Sequence, residues 1–429
     1  MANETVSVDR ELMLSDMAEN LVPSEIIKLA NEVNEKSKNG EHIFNLTIGD
    51  FDPSIFPIPE VLKDEIIKAY EAGQTNYPTS NGMMELRRAV SGYLFKHGGI
   101  EYNENQILIA GGGRPLIYAA YQAVVDPGDS VIFPVPSWNN NHYSHISGAK
   151  QIPIRTEAEN NFMLRPKDLK SHIAEASLVA VCSPLNPTGT AFSKEGLTDI
   201  CEIILEENNR RAGVKKPVYL LYDQIYWQLT FGDTVHYNPV GLVPAMKDYT
   251  VFIDGMSKAF AATGVRIGWG FGPQKVMDKM KAIISHLGAW SPRAEQIATA
   301  AFLNKDEAVD TYLQGFRSRV EDRLNGFFKG FKTLKSLGYN VDAISPQAAM
   351  YLTVKIDLRG MRTKEGTELT SMEDVTQYLL NEAKVALVPF YAFGTERNSP
   401  WYRLSIGTAS ISDIDRFFEN LQSVFSELS

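Results

Sequence analysis

The chain has 429 residues, 44% of them hydrophobic and 22% charged, with a net charge of −10. This is the balance of a water-soluble globular protein with room for a large core and two domains. The acidic surplus disfavours a sequence-independent grip on nucleic acid, and no apolar stretch approaches the length of a membrane span. The N-terminal run with Glu4, Asp9, Glu11, Asp16 and Glu19 lacks the basic and apolar regions of a signal peptide. Two cysteines, Cys182 and Cys201, imply no disulfide framework, so the expected location is the reducing cytoplasm.

Short β-branched and aromatic runs bounded by Pro, Gly or Asp predict strands over Gln106–Ala110, Ser130–Pro134, Lys150–Ile154, Leu178–Cys182, Val218–Tyr222 and Thr250–Ile253. Helical patterns such as Leu116–Val125 and Glu195–Leu205 lie between them. Strand and helix in alternation predict an α/β domain with a largely parallel sheet, where ligands bind beyond the carboxyl ends of strands. After about Asp306 the texture changes. Phe316, Val320, Leu324 and Phe327 recur at helical spacing and predict one long helix over Thr311–Leu337. Short strands at Ala349–Lys355 and Trp401–Ser405 and a last helix after Asp413 complete a smaller α+β domain. The polar stretch Arg359–Ser371 reads as an exposed loop, and Ser371 with Asp374 reads as a helix start.

Several motifs fall directly after predicted strands. Gly111-Gly112-Gly113-Arg114-Pro115 follows the first strand and opens a helix, where glycines admit an anion to free backbone amides. A plain strand-to-helix turn would look the same. Trp138 follows the second strand and fits either a core or a flat aromatic ligand. Ser183-Pro184-Leu185-Asn186-Pro187-Thr188-Gly189 is a rigid turn that aims one amide side chain. Asp223 ends a strand; it caps a turn, or it holds a pyridine nitrogen protonated, with Tyr226 three residues on. Ser257-Lys258 and Gly264-Val265-Arg266 pair an amine with a cation for an anionic ligand. Arg403 lies in a strand of the small domain, where its charge needs a partner from protein or ligand. His142 and His145 lack further donors nearby, so no metal site is expected.

Together these segments, from Ile48-Gly49-Asp50 to Arg403, resemble the class I aminotransferases, pyridoxal-phosphate enzymes of fold type I. The resemblance implies a catalytic set of Lys258, Asp223 and Tyr226. Lys258 would carry the cofactor as a Schiff base and then move the substrate Cα proton. Asp223 would hold the pyridinium, Asn186 and Tyr226 the ring hydroxyl, and Trp138 would stack on the ring. The turn Gly112, Gly113 and Arg114, with Ser257 and Arg266, would hold the phosphate. Tyr77 would reach the phosphate in a partner subunit, which implies a homodimer. Arg403, Asn186 and the backbone near Gly49 would take the substrate α-carboxylate. The implied division is an N-terminal arm (1–47) packing with the small domain, a cofactor domain (48–306) and a small C-terminal domain (307–429). Gly255 stands where many relatives carry a phosphate-binding serine, so one phosphate contact is lost or made elsewhere.

Arg114 bears on the substrate. In one bacterial branch of similar enzymes a basic residue here meets the distal carboxylate of aspartate. That favours aspartate as donor to a 2-oxo acid such as 2-oxoglutarate. Alternatively Arg114 supports the phosphate or faces solvent. An aromatic or prephenate-type donor, or a C–S lyase or decarboxylase on the same cofactor, would share these motifs.

Overall fold

The computed structural model describes residues 14–23 and 25–429; Glu4, Asp9 and Glu11 of the acidic start lie outside them. The strands of the larger part are β2 (Ile107–Ala110), β3 (Ser130–Val135), β4 (Lys150–Arg155), β5 (Ala176–Cys182), β6 (Tyr219–Asp223), β7 (Thr250–Gly255) and β8 (Gly268–Phe271), numbered after the short β1 (Phe44–Asn45). They form one seven-stranded sheet in the order β2-β8-β7-β6-β5-β3-β4. Every pairing is parallel except those of β8, which runs against both β2 and β7. This is the predicted α/β layer. The interior strand β5, Ala-Ser-Leu-Val-Ala-Val-Cys, is buried along almost its whole length, as a strand covered on both faces must be. Pro134 has no N–H to give, and the ladder from β3 to β5 ends before it at Ile132.

Strand β8 was not among the predicted strands. Its Gly268-Trp269-Gly270-Phe271 sequence has two glycines, which weaken a strand signal. The structure shows why glycine stands there: a Cβ on Gly268 would collide with the backbone of Gly112 and Gly113. Close approach of these two chain segments builds one wall of the cavity described below.

The second part holds an antiparallel sheet of β9 (Val341–Ala343), β10 (Tyr351–Ile356), β12 (Val388–Pro389) and β13 (Trp401–Ser405), in the order β12-β13-β10-β9. The N-terminal β1 pairs in parallel with β11 (Val385–Ala386). The long helix spans Asp306–Ser336, starting earlier than its apolar periodicity suggested because Asp306 and Glu307 in its first turn suit the helix dipole. Its buried stripe of Phe316, Val320, Leu324, Phe327 and Phe331 packs into the core of the second part, against β9 and β10. Nearer its start, Val309 and Leu313 join the core of the large sheet instead, so one helix ties the two cores together. The Ser371 cap forms as predicted, with reciprocal bonds between Ser371 and Asp374. Among the described residues no helix is long and apolar enough to cross a membrane.

Candidate active site

A cavity of about 620 Å³ opens beyond the carboxyl ends of β5, β6 and β7 and is closed on its far side by residues of β10 and β13. Lys258 reaches it from the short helix Met256–Ala259 that follows β7. Its Nζ donates to the Gly49 carbonyl at 2.6 Å. Burial lowers the lysine pKa to about 8; Asp50 opposes the shift, and Arg403, Arg114 and Arg266 add to it. The free amine is the nucleophilic form, and its fraction rises as pH climbs through that value. In the protein without bound ligand, reductive labelling of Lys258 by an aldehyde is therefore expected to rise with a midpoint near pH 8. An ordinary lysine titrates near 10.5. Peptide mass spectrometry against pH checks this; a midpoint at 10 or above would contradict the depressed amine.

Asp223 is the last residue of β6 and faces the same cavity. Burial raises its carboxyl to about 6, and the Ile225 N–H, donating to Oδ1 at 3.0 Å, pulls the other way. Tyr226 projects from the turn that follows. Its hydroxyl lies 2.8 Å from the Tyr351 hydroxyl and 3.5 Å from Asn186 Nδ2. Asn186 Oδ1 in turn accepts from Arg403 Nη1 at 3.1 Å, and Arg403 Nη2 donates to the Thr47 carbonyl at 2.6 Å. Arg403 is 2% exposed, its guanidinium lies over the Tyr351 and Phe393 rings, and among the described residues its buried Nε has no partner. This chain of polar groups joins the Asn186 turn, β6 and β13 across the cavity.

The other end of the cavity is built on the helix Gly113–Val124, whose N-cap is Gly112 at φ 98°. A Cβ at Gly112 would run into the Arg266 guanidinium, so only glycine fits on both counts. Arg266 itself has φ 59° and donates to the Thr263 and Gly111 carbonyls at 2.8 and 2.6 Å. Gly113, Ser257 and Arg266 line this end. Arg114 also lines the cavity, with its guanidinium 5.3 Å from the centre of the Trp138 ring. At Gly255 a Cβ would come within 2.7 Å of the Ile267 carbonyl and 2.9 Å of the Gly268 Cα. A serine cannot stand there without moving β8.

Tyr77 stands apart from the other predicted residues. It is 81% exposed, edge-on to Trp290, in a surface groove outside the cavity. Conversely, the cavity contains groups that sequence reasoning did not single out as site residues. Tyr351 bridges Tyr226 and Arg403. Asp50, held by the Thr263 hydroxyl at 2.7 Å, faces Lys258 electrostatically. Asp50 sits within the Ile48-Gly49-Asp50 run, which was its only signal; Tyr351 had none.

An amine with a depressed pKa, in a cavity lined by three guanidiniums, is the equipment of an enzyme that condenses an amine with the carbonyl of an anionic ligand. The chain belongs to the family of class I and II aminotransferases, which it matches over residues 41–421. It is 29% identical to an aspartate aminotransferase of Bacillus subtilis over 93% of this chain and 97% of that one. It is 30% identical to a probable aspartate/prephenate aminotransferase of Rickettsia conorii over 92% of this chain and 94% of that one. The solved aspartate aminotransferase of Rhizobium meliloti superposes with a TM-score of 0.87 at 27% identity, covering 97% of this chain and all 100% of that one. The protein is an aminotransferase acting on amino and 2-oxo acids, and its family implies pyridoxal phosphate as cofactor.

Proposed function

We propose that this aminotransferase takes L-aspartate as amino donor and a 2-oxo acid such as 2-oxoglutarate as acceptor, in a ping-pong cycle. The supporting observation is a count of charges. Arg266, Arg403 and Arg114 all line the cavity around Lys258, and among the described residues none forms an ion pair with a carboxylate. Three guanidiniums without a salt-bridge partner, in a lining that also holds the Asp50 and Asp223 carboxyls, suit three anionic groups: a cofactor phosphate, a substrate α-carboxylate and a side-chain carboxylate.

The residues present fit pyridoxal phosphate. The N-terminal amides of the helix at Gly113, flanked by Ser257 and Arg266, suit a phosphate. The Asp223 carboxyl, raised by burial, gains from any cation set beside it, as a protonated ring nitrogen would be. Asn186 and Tyr226 would hold the ring oxygen, and Trp138 the ring face. When bound, the cofactor supplies the electron sink that makes the substrate Cα proton acidic. Lys258 then holds and returns that proton as the positioned base. Arg403 fixes the α-carboxylate so that the Cα–H bond faces the Lys258 amine, and Tyr351 keeps Tyr226 and Arg403 in place. Arg114 would engage the distal carboxylate.

The reading extends to assembly. Tyr77, exposed together with Tyr70 beside Trp290, would reach the active site of a second copy, giving a homodimer in the cytoplasm. The pairing of β1 with β11 and the helix start at Asp306 support an arm to residue 47, a cofactor domain over 48–306 and a small domain over 307–429.

Arg114→Ala is expected to lower kcat/KM for aspartate roughly tenfold to a hundredfold, as loss of a charge-assisted contact would. The value for alanine should change less than threefold. Equal losses would remove Arg114 as a selector. The overall test is formation of the 2-oxo acid when the holoenzyme is offered aspartate, glutamate, phenylalanine and alanine in turn; aspartate should lead. A second reading, an aromatic donor, has one observation in its favour: Ile26, Ile27 and Ala30 of the helix Glu25–Lys38, with Ile117, give the cavity an apolar side. Phenylalanine leading aspartate would select it.

A further inference from the structure

Asp254 lies on β7 four residues before Lys258. It is 0% exposed. Its neighbour Ile253 faces the cavity, so Asp254 points to the opposite side of the sheet, into the core with Tyr93, Trp227 and Trp269. Its Oδ2 accepts from both indoles, Trp227 Nε1 at 2.9 Å and Trp269 Nε1 at 3.1 Å. Its Oδ1 accepts from the Gly255 N–H at 2.7 Å. Among the described residues no cation pairs with it. An uncompensated carboxyl in a dry core is a cost that an apolar residue would not carry.

What the carboxyl joins explains the arrangement. Trp227 follows Tyr226 directly and lies four residues after Asp223, on the turn beyond β6. Gly255 leads into Ser257 and Lys258. Trp269 lies on β8, three residues after Arg266. The three donors therefore sit on the three chain segments that carry the ring-facing, amine-bearing and phosphate-facing groups. We propose that Asp254 is a positioning residue for the reaction: one buried carboxyl, bonded to Trp227, Gly255 and Trp269, sets the spacing of the segments that present Asp223, Tyr226, Lys258 and Arg266 to the cofactor. Burial raises this carboxyl to about 8, and the three N–H groups on its two oxygens pull the other way; they favour the ionised form, which has no donor of its own to set against them. An amide of the same shape would turn its NH₂ toward one of them. Arg403 hangs on β13, makes no bond to Asp254 or its three donors, and meets their segments only at Tyr226, through Asn186 and Tyr351, so carboxylate binding is one step removed from the knot.

The inference rests on the reading of Lys258 as the reacting amine. Its test compares Asp254→Asn with Trp227→Phe and Trp269→Phe, each of which removes one indole N–H and keeps a ring. Four quantities are measured: melting of the cofactor-free protein, Kd for pyridoxal phosphate, kcat, and KM for aspartate. Asp254→Asn is expected to raise the cofactor Kd about tenfold and to lower kcat by a similar factor, from one buried donor left without a partner. KM should stay within about twofold, because Arg403 is untouched. Each Trp→Phe variant should give a smaller loss of the same pattern, and Trp227→Phe should add little once Asp254 is already Asn. Unchanged Kd and kcat in Asp254→Asn would overturn the proposal. So would KM rising in step with Kd, the mark of general loosening. If Asp254→Asn does not fold, the two Trp→Phe variants decide by the same criteria. A Lys258→Ala control keeps the two readings apart: turnover surviving there sinks the amine assignment, whereas an inert Lys258→Ala beside a normal Asp254→Asn overturns only the role of Asp254.

Discussion

Lys258→Ala is expected to reduce transamination by about 10⁴-fold or more, since it removes both a covalent route and a proton carrier. The structure narrows the replacement options. Asp50 and Asp223 are acidic and already engaged, by Thr263 and by the Ile225 amide. The guanidiniums of Arg114, Arg266 and Arg403 cannot act as bases near neutral pH. Tyr226 and Tyr351 share a hydrogen bond, and burial pushes both phenols above their usual range. Among the described residues no other group facing the cavity combines an amine with a depressed pKa. Cavity space vacated by the butylamine chain admits a small primary amine. Methylamine in the buffer should therefore restore part of the rate, increasingly above its own pKa. Steady-state rates of Lys258→Ala with and without methylamine test this directly. Turnover near the wild-type level without added amine would sink the assignment of Lys258.

The parts of this site that sequence could reveal are those whose neighbours in space are also neighbours along the chain. Ser257, Lys258 and Arg266 sit within one turn-rich stretch, and the Asn186 turn is fixed by its own prolines. Strands β3, β5, β6 and β7 carry unbroken apolar runs, so the sheet that positions the motifs was legible. Strand β8 was not, because its glycines answer to the backbone of Gly112 and Gly113 rather than to strand propensity. Tyr351 was invisible for a related reason: it meets Tyr226 from 125 residues away, and nothing local distinguishes it from any aromatic in a strand. Asp254 falls one residue past the predicted strand Thr250–Ile253, and nothing local marks it until Trp227 and Trp269 are seen to converge on it. Gly255 shows the converse. Its identity was plain and its consequence was not, since only the packed Ile267 carbonyl and Gly268 explain why no side chain fits.

Arg403→Ala carries the second large effect. The guanidinium is buried, it has spent two of its nitrogens on the Thr47 carbonyl and Asn186, and among the described residues its Nε has no partner. Burial alone lowers its pKa, and the phenols of Tyr351 and Tyr226 oppose that shift. A ligand carboxylate would supply the missing counter-charge, and in a site this dry such a contact is worth about 2–5 kcal/mol. The expected loss in kcat/KM is therefore roughly 30-fold to several thousand-fold. It should be alike for aspartate and for alanine, because the α-carboxylate is common to both. That equality separates Arg403 from Arg114, whose loss should fall on aspartate alone. Arg403→Lys keeps the charge but not the planar fork, so it should recover stability while recovering only part of the rate. The measurement is kcat/KM for both donors in both variants. A loss confined to aspartate would move the distal-carboxylate role from Arg114 to Arg403. A loss below threefold for both donors would mean that the α-carboxylate binds elsewhere, and that Arg403 serves to join β13 to the Asn186 turn.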